Sequence, residues 1–190
     1  RGNRRYFTIA SAPTEEEIIM GVKFYDPPSS YKKSMLAMEP GEKILAGQLA
    51  GDFTLPINPK EKSVFIAGGI GITPFRSMIK YLVDTKQARD IVLFYSNKNI
   101  SEVVYTDIFD QAVEEIGLRV VYTLTDSEQV PAGWLGKVGM IDANMIAAEV
   151  PDFKERAFYI SGPHAMVTAF ETALSEMGVS KNKIKTDVKK

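Results

Sequence analysis

Residues 64–75 read Val64-Phe65-Ile66-Ala67-Gly68-Gly69-Ile70-Gly71-Ile72-Thr73-Pro74-Phe75, an apolar run followed by a glycine-rich turn. The unbroken apolar run indicates a strand that is buried on both faces, as in a parallel sheet. Gly69 and Gly71 would let the backbone approach a pyrophosphate, and a following helix would offer its free N–H groups. Pro74 suits the first turn of that helix, where its missing N–H has no intrahelical partner. The pattern predicts a dinucleotide-binding turn, but it also fits a tight strand–helix turn in any α/β protein.

The chain after this turn alternates between strand and helix patterns. Strands are predicted at residues 64–67, 91–95, 119–124 and 157–160, and helices at residues 74–84, 103–116 and 165–177. This alternation is typical of βαβ units with parallel strands. We therefore predict an α/β, parallel-sheet nucleotide-binding domain over residues 63–190.

The chain before the turn has a different character. Strands are predicted at residues 4–11, 18–24, 43–48 and 53–55, and Ser29 and Ser30 are expected to cap a helix over residues 31–38. Residues 56–62 contain two prolines and three charged side chains, which is typical of a linker. We therefore predict a separate domain over residues 1–57.

A second turn follows the last predicted strand. Residues 158–166 read Phe158-Tyr159-Ile160-Ser161-Gly162-Pro163-His164-Ala165-Met166, so a buried strand ends in Ser-Gly-Pro and leads into a helix. Ligands of open α/β sheets bind at the carboxyl ends of the strands. Ser161 is therefore expected at the same sheet edge as Gly69 and Gly71, and each turn supports the interpretation of the other.

A third segment, Arg4-Arg5-Tyr6-Phe7-Thr8-Ile9-Ala10-Ser11, lies near the start of the sequence. On a strand, Arg5, Phe7 and Ile9 share one face and Thr8 points to the other. A guanidinium can bind a phosphate through two hydrogen bonds, and an aromatic ring can stack on a planar cofactor. Taken alone, the segment also fits an ordinary strand.

The three segments, in this order, resemble the ferredoxin–NADP reductase superfamily. In that family an Arg-x-aromatic-Ser/Thr strand holds a flavin, a Gly-x-Gly-x-x-Pro turn holds the nicotinamide nucleotide, and a Cys/Ser-Gly-Pro-x-x-Met turn lines the hydride-transfer site. The resemblance covers nearly the whole chain and includes residues 51–56, which look like the end of the family's β-barrel. It implies a partial antiparallel β-barrel flavin domain over residues 1–57, followed by the parallel-sheet domain.

The resemblance also implies roles for individual residues. Thr8, near flavin N5, and Ser161, at the hydride-transfer centre, are the expected catalytic residues, while Arg5 would pair with the flavin phosphate and Phe7 would lie against the flavin. The other expected cofactor-binding residues are Lys23, Ser29, Ser30, Gly69, Gly71, Thr73, Pro74, Asn97, Lys98, Asp126, Gly162, Pro163 and Met166. The implied cofactors are FAD, with FMN left open, and NAD(P)H. Hydride transfer needs stacking and distance rather than a protein acid or base, which fits a chain with a single histidine.

Two loops bear on the choice between NADH and NADPH. Lys98 could meet the 2′-phosphate of NADPH, whereas Asp126 would repel that phosphate and could accept a hydrogen bond from a ribose hydroxyl. We favour NADH on the strength of Asp126.

Composition excludes several other classes of function. The 190 residues include 23 Lys+Arg and 24 Asp+Glu, so the net charge of −1 gives no sign of nucleic-acid binding. The absence of cysteine excludes disulfides, thiolate catalysis and an iron–sulfur cluster in this sequence, and no metal site is expected. No stretch approaches the roughly 20 apolar residues of a membrane span. We expect a cytoplasmic location and an electron donor or acceptor protein or domain outside the chain.

Three functional hypotheses remain open. The first is a flavin-dependent NAD(P)H oxidoreductase. The second is a non-catalytic nucleotide-binding module, because only three residues precede Arg4 and the barrel is expected to be N-terminally truncated. The third is a cytosolic reductase fragment of a larger membrane or multidomain electron-transfer protein.

Overall fold

A six-stranded parallel sheet forms the centre of the molecule. The computed structural model describes residues 5–47 and 49–187. Neighbouring strands pair in parallel in the order β4-β3-β2-β1-β5-β6, so their carboxyl ends meet at one edge. The strands are β1 (Ser63–Gly68), β2 (Ile91–Asn97), β3 (Arg119–Leu124), β4 (Lys137–Val138), β5 (Ala157–Ser161) and β6 (Ile184–Thr186). The parallel sheet and four of its strands are confirmed, whereas the two short edge strands, β4 and β6, were not predicted.

Helices cover both faces of this sheet. The helices are α1 (Ser30–Leu36), α2 (Thr73–Asp84), α3 (Thr106–Ile116), α4 (Ala143–Glu149) and α5 (His164–Glu176). Phe65 and Ala67 of β1 belong to the core shared with α2 and α3, while Val64 and Ile66 belong to the core shared with α4 and α5. Successive side chains of a strand point to opposite faces, so an unbroken apolar strand such as β1 fills both cores.

The residues before the sheet contain much less regular structure than predicted. Among the described residues up to 57, one antiparallel bridge joins Ile9 and Met20, with the Ala10 N–H donating to the Ile19 carbonyl at 2.8 Å. The strand predictions at 4–11, 18–24, 43–48 and 53–55 were therefore wrong for the described residues, and Arg4 and Gln48 lie outside them. Strand propensity reflects packing on a sheet surface, and apart from this single bridge the described parts of these segments have no pairing partner. Leu45, for example, is fully exposed.

The helix in this region is confirmed. Helix α1 begins at Ser30, one residue before its predicted start, and ends at Leu36, two residues before the predicted end. Ser29 is its N-cap, and the Ser29 hydroxyl accepts a hydrogen bond from the Lys32 N–H at 3.4 Å. A serine oxygen at this position satisfies one of the N–H groups that lack an intrahelical partner.

No helix within residues 5–47 and 49–187 combines the length and apolar character needed to cross a membrane.

Candidate functional site

A cleft of about 550 Å³ opens at the carboxyl edge of the sheet. Its walls are the turns after β1, β2, β3 and β5 on one side and the segments around residues 6–8 and 21–25 on the other. Most of the residues predicted from sequence line it: Phe7, Thr8, Lys23, Gly69, Gly71, Thr73, Asn97, Lys98, Ser161, Gly162, Pro163 and Met166. Five predicted residues lie outside the lining: Arg5, Ser29, Ser30, Pro74 and Asp126. The topology therefore brings the three sequence segments to one place.

The glycine-rich turn leaves its backbone open to the cleft at Gly69. A single 3₁₀ turn from Gly69 to Ile72 joins β1 to α2, and Pro74 lies buried in the first turn of the helix. Gly69 has φ +52°, and a Cβ built on it would meet open space. The left-handed conformation favours glycine, and the open space above it lets a ligand approach the main chain. This combination suits a phosphate at the start of α2.

Gly71, the second glycine of the turn, lies too close to another backbone segment to carry a Cβ. A Cβ on Gly71 would lie 2.3 Å from the Ser161 carbonyl oxygen, so one of the two backbone segments would have to shift. Met166 also fills the space beside Gly68 and Gly162, where a Cβ on either would lie 2.5 Å from Met166 side-chain atoms. The glycine turn and the Ser-Gly-Pro turn are therefore packed backbone against backbone.

One carboxylate joins the two residues predicted to be catalytic. The Thr8 hydroxyl donates to Asp187 Oδ2 at 3.1 Å, and the Ser161 hydroxyl donates to the same oxygen at 3.3 Å. Ser161 is 3% exposed, and all three residues line the cleft. Asp187 thus links the N-terminal segment to the end of β5.

Asp187 was missed by the sequence analysis because the strand before it was missed. The carboxyl end of β6 lies at the same sheet edge as those of β1 and β5, so the residue after β6 reaches the cleft. The signal available in the sequence was weak: a short stretch, Ile184-Lys185-Thr186, followed by the aspartate.

An amide side chain at the end of β2 is buried without a partner. Asn97 is 3% exposed and lines the cleft. Its side chain lies near the Tyr95 hydroxyl, but neither Oδ1 nor Nδ2 makes a hydrogen bond of normal geometry among the described residues. A buried amide costs free energy unless it is hydrogen-bonded. The cleft therefore contains a donor and an acceptor that a polar ligand could satisfy, and the residues present fit a nucleotide.

Two ion pairs lie at the other end of the cleft, and a main-chain hydrogen bond joins them. Lys98 Nζ lies 4.0 Å from Asp126 Oδ2, and the Lys98 N–H donates to Glu102 at 3.4 Å. Glu102 also accepts from Lys23 Nζ at 2.8 Å, and this hydrogen bond holds the pKa of Glu102 below its ordinary value. Lys23, predicted from sequence to be a cofactor-binding residue, is thus paired with Glu102, which precedes α3.

The remaining predicted flavin ligands gather around Tyr31 of α1. The Arg5 guanidinium lies 5.2 Å from the centre of the Tyr31 ring, and the Phe7 ring stacks on Tyr31 at 6.2 Å and 28°. Ser29 and Ser30 immediately precede Tyr31, so one small region holds the four residues. Within the described ranges, no three His, Asp or Glu side chains are grouped closely enough to hold a metal ion.

Comparison with known proteins identifies a family and several relatives of this chain. The model of the oxidoreductase NAD-binding domain matches residues 65–172. The chain is 27% identical over 176 residues to the reductase subunit of stachydrine N-demethylase from Rhizobium meliloti, covering 92% of this chain and 50% of that protein. It is 31% identical over 189 residues to NADH-cytochrome b5 reductase 1 from Ajellomyces capsulatus, covering 94% of this chain and 59% of that protein.

A solved structure has the same fold. Flavohemoglobin from Malassezia yamatoensis with bound FAD and heme superposes with a TM-score of 0.74 at 23% identity, covering 95% of this chain and 45% of that chain. The chain spans about half the length of these relatives. The superposition includes most of the residues before the sheet, which confirms the predicted fold class. The chain belongs to the oxidoreductase NAD-binding domain family and has the fold of the ferredoxin–NADP reductase superfamily.

Proposed function

We propose that this chain is the nucleotide-binding part of a flavin-dependent NAD(P)H oxidoreductase. The observation that carries the proposal is the contact of Thr8 and Ser161 with one oxygen of Asp187. The sequence motifs assign Thr8 to a flavin segment and Ser161 to a nicotinamide turn. Because one carboxylate accepts from both hydroxyls, the two segments meet at the place where a flavin and a nicotinamide would have to stack.

The nucleotide would be held along the carboxyl edge of the sheet. Gly69 offers an open main chain for the pyrophosphate, and the buried amide of Asn97 offers a donor and an acceptor. The start of α2, beyond the turn, adds free N–H groups and the positive end of the helix dipole. Gly162 and Pro163 would flank the nicotinamide, and Met166 supports both turns from behind.

The chain's own residues in the reaction act by position. A bound flavin supplies the ring that accepts hydride from reduced nicotinamide. Asp187 fixes the Thr8 and Ser161 hydroxyls with hydrogen bonds of 3.1 and 3.3 Å. The chain thereby sets the distance between the two walls of the cleft, and hydride transfer is steeply sensitive to that distance. None of these residues has to gain or lose a proton.

We propose that residues 1–57 contribute to the flavin site. Arg5 would bind a flavin phosphate, and Phe7 would lie along the flavin, with Ser29 and Ser30 at a second phosphate position. The clustering of these residues around Tyr31 supports the proposal. FAD is the favoured cofactor, and FMN is the alternative.

We propose a preference for NADH over NADPH. The Lys98 ammonium, which could attract a 2′-phosphate, lies beside Asp126, while Glu102 is paired with Lys23. A dianionic phosphate drawn to Lys98 would therefore meet the Asp126 carboxylate beside it.

The preference can be tested by Asp126→Ser. Removal of the carboxylate should lower the ratio of kcat/KM for NADH to that for NADPH by about tenfold, because a like-charge repulsion is lost. Glu128→Gln, which neutralises an exposed carboxylate two residues away, is the matched control and should leave the ratio unchanged. A wild type that prefers NADPH would contradict the assignment of Asp126.

We propose that electrons leave for a protein outside this chain in the cytoplasm, where NADH is supplied. The relatives support this, since one is named as a reductase subunit and another as a cytochrome b5 reductase. The chain would then be one part of a longer reductase or of a multi-protein system.

The proposed function is tested by loading the chain with FAD and following the NADH-driven reduction of ferricyanide. Asp187→Ala should lower the rate roughly 10- to 100-fold, because the two walls are no longer held together. Asp107→Ala, at an exposed site in the first turn of α3, is the control and should behave as wild type.

A second candidate is a non-catalytic nucleotide-binding module. It is favoured by the single β-bridge among the described residues before the sheet. It predicts that the chain binds NADH but retains no flavin and reduces no acceptor, an outcome that would overturn the oxidoreductase proposal.

A further inference from the structure

A loop of the N-terminal segment lies along helix α2. Residues 10–21, which we name the docking loop, begin two residues after Thr8 and end two residues before Lys23. Thr8, Gly21 and Lys23 all line the cleft. The position of the docking loop therefore sets the position of the cleft wall that carries Thr8.

A buried arginine of α2 binds both a main-chain carbonyl and a side-chain carboxylate of the docking loop. Arg76 is 6% exposed. Its guanidinium donates to the Ala10 carbonyl at 2.9 Å and to Glu15 Oε1 at 2.8 Å, and a second hydrogen bond reaches Glu15 Oε2. Glu15 in turn accepts from the Ala12 N–H at 2.6 Å. A bidentate contact between a guanidinium and a carboxylate fixes the relative orientation of the two groups as well as their distance.

The same side of α2 makes further contacts with the loop. The Ser77 hydroxyl donates to the Ser11 carbonyl at 2.7 Å, and the Thr14 hydroxyl donates to Asp84 Oδ2 at 2.5 Å. Arg76, Ser77 and Asp84 are spaced to lie on one side of a helix. A polar stripe of α2 therefore faces the docking loop along most of the helix.

A tyrosine completes the contact from the other side. The Tyr105 ring lies 5.6 Å from the Arg76 guanidinium carbon, and Tyr105 has φ +63°, a left-handed conformation that is rare for an aromatic residue. A Cβ on Gly21 would lie 2.9 Å from the Tyr105 hydroxyl and 2.6 Å from Thr73 Cγ2. Both ends of the docking loop are thus fitted closely to α2 and Tyr105.

We infer that Arg76 is a positioning residue. It acts through Glu15 and the Ala10 carbonyl to hold Thr8 at a fixed place relative to the glycine-rich turn. Arg76 is three residues after Thr73, so one helix carries both the end of the turn and the contact with the loop. Movement of the loop away from Arg76 would move Thr8 away from Ser161. This inference rests on the proposed function, in which the distance between those walls matters.

The experiment compares Glu15→Gln with Asp90→Asn. Each variant removes the charge of a carboxylate bound to a buried arginine, since Arg156 is 5% exposed and pairs with Asp90 at 2.7 Å. Asp90 lies at the amino edge of the sheet, where it precedes β2, and its carboxylate binds Arg156 through two hydrogen bonds. Asp90→Asn is therefore the control: it should lower the stability of the fold but leave the docking loop unchanged.

Three quantities are measured on each flavin-loaded variant. Glu15→Gln should speed the hydrogen exchange of amides in residues 10–19 about tenfold, slow hydride transfer from NADH about tenfold, and leave the Kd for NADH within about twofold of wild type. Asp90→Asn should change none of the three, although both variants should melt at lower temperature. Arg76→Lys keeps the charge but loses the bidentate contact with Glu15. Its amide-exchange rate in residues 10–19 and its hydride-transfer rate should therefore lie between those of wild type and Glu15→Gln.

The inference is overturned if Glu15→Gln leaves exchange in residues 10–19 at the wild-type rate. It is also overturned if Glu15→Gln and Asp90→Asn slow hydride transfer equally, because Arg76 would then contribute stability alone. A wild type that transfers no hydride contradicts the proposed function instead, and the exchange comparison still decides whether Arg76 holds the loop.

Discussion

Gly69 and Gly71 stand two positions apart in one turn, and they are glycines for different physical reasons. Gly69 adopts a left-handed conformation under open space, whereas Gly71 is pressed against the Ser161 carbonyl. The sequence pattern predicted both as phosphate-binding positions. It could not reveal the contact of Gly71, because that contact is made with a residue ninety positions later in the chain.

The two glycines should respond differently to alanine. Gly69→Ala should lower the free energy of unfolding by about 1–2 kcal/mol, the cost of a left-handed conformation with a Cβ. Gly71→Ala should cost about 3 kcal/mol or more, because the backbone of one turn must move away from the other. Urea unfolding of both variants measures the difference, and equal losses would contradict the packing of the two turns.

Two buried tyrosine hydroxyls offer a second test at the scale of the residue. The Tyr122 hydroxyl is buried and has no hydrogen-bond partner within the described residues, and burial raises its pKa to about 12. The Tyr95 hydroxyl is also buried, but it accepts from the Val104 N–H at 3.4 Å. Burial raises the pKa of Tyr95 as well.

Phenylalanine should therefore have opposite effects at these positions. Tyr122→Phe should raise the free energy of unfolding by about 1 kcal/mol, because an unsatisfied hydroxyl leaves the interior. Tyr95→Phe should lower it by about 1 kcal/mol, because the Val104 N–H loses its acceptor. Chemical denaturation of both variants is the measurement, and a loss of stability in Tyr122→Phe would refute this account of its hydroxyl.

At the scale of the element, an ion cluster ties the sheet together at its amino edge. Arg156, just before β5, binds Asp90 and Asp152, and Lys62, just before β1, binds Asp152 at 2.8 Å. Hydrogen bonds from Arg156 and then Lys62 hold the pKa of Asp152 well below its ordinary value. Neighbouring parallel strands are thereby linked at the ends opposite the cleft.

This cluster predicts how stability depends on pH. The pKa of Asp152 is lower in the folded than in the unfolded chain, so its contribution is fully present above about pH 4 and is lost as pH falls through the folded pKa. Asp152→Asn should therefore lose stability at about pH 7 and show a shallower decline toward about pH 2. The free energy of unfolding of wild type and of Asp152→Asn, measured across this pH range, tests the prediction. If the two curves ran parallel, Asp152 would not contribute to the pH dependence of stability.

The sequence predicted elements well where the pattern was local and long. Strands β1 and β2 are continuous apolar runs, and α2 has a strong apolar periodicity, so each carries its own signal. Strands β4 and β6 have two and three residues, and they are strands because a longer neighbour offers its free edge. The strands that were wrongly predicted before residue 57 have a β-rich composition, but no neighbouring strand extends the single bridge into a ladder.

At the scale of the whole molecule, topology explains why most of the site could be predicted. The four predicted parallel strands place their strand-end turns at one edge, so Ser161 could be placed beside Gly69 and Gly71 from the sequence. Asp187 and the contact of Arg76 with Glu15 could not be predicted in this way. Both join segments that are far apart in sequence and have no shared pattern.

In the proposed reaction, this cleft brings reduced nicotinamide against a flavin. The most direct test is to mix the FAD-loaded chain anaerobically with NADH or with NADH deuterated at C4 and to follow the loss of flavin absorbance. We expect the flavin to be reduced, deuteration to slow the reduction several-fold, and Asp187→Ala to slow it further. Binding of NADH with no change in flavin absorbance would contradict it.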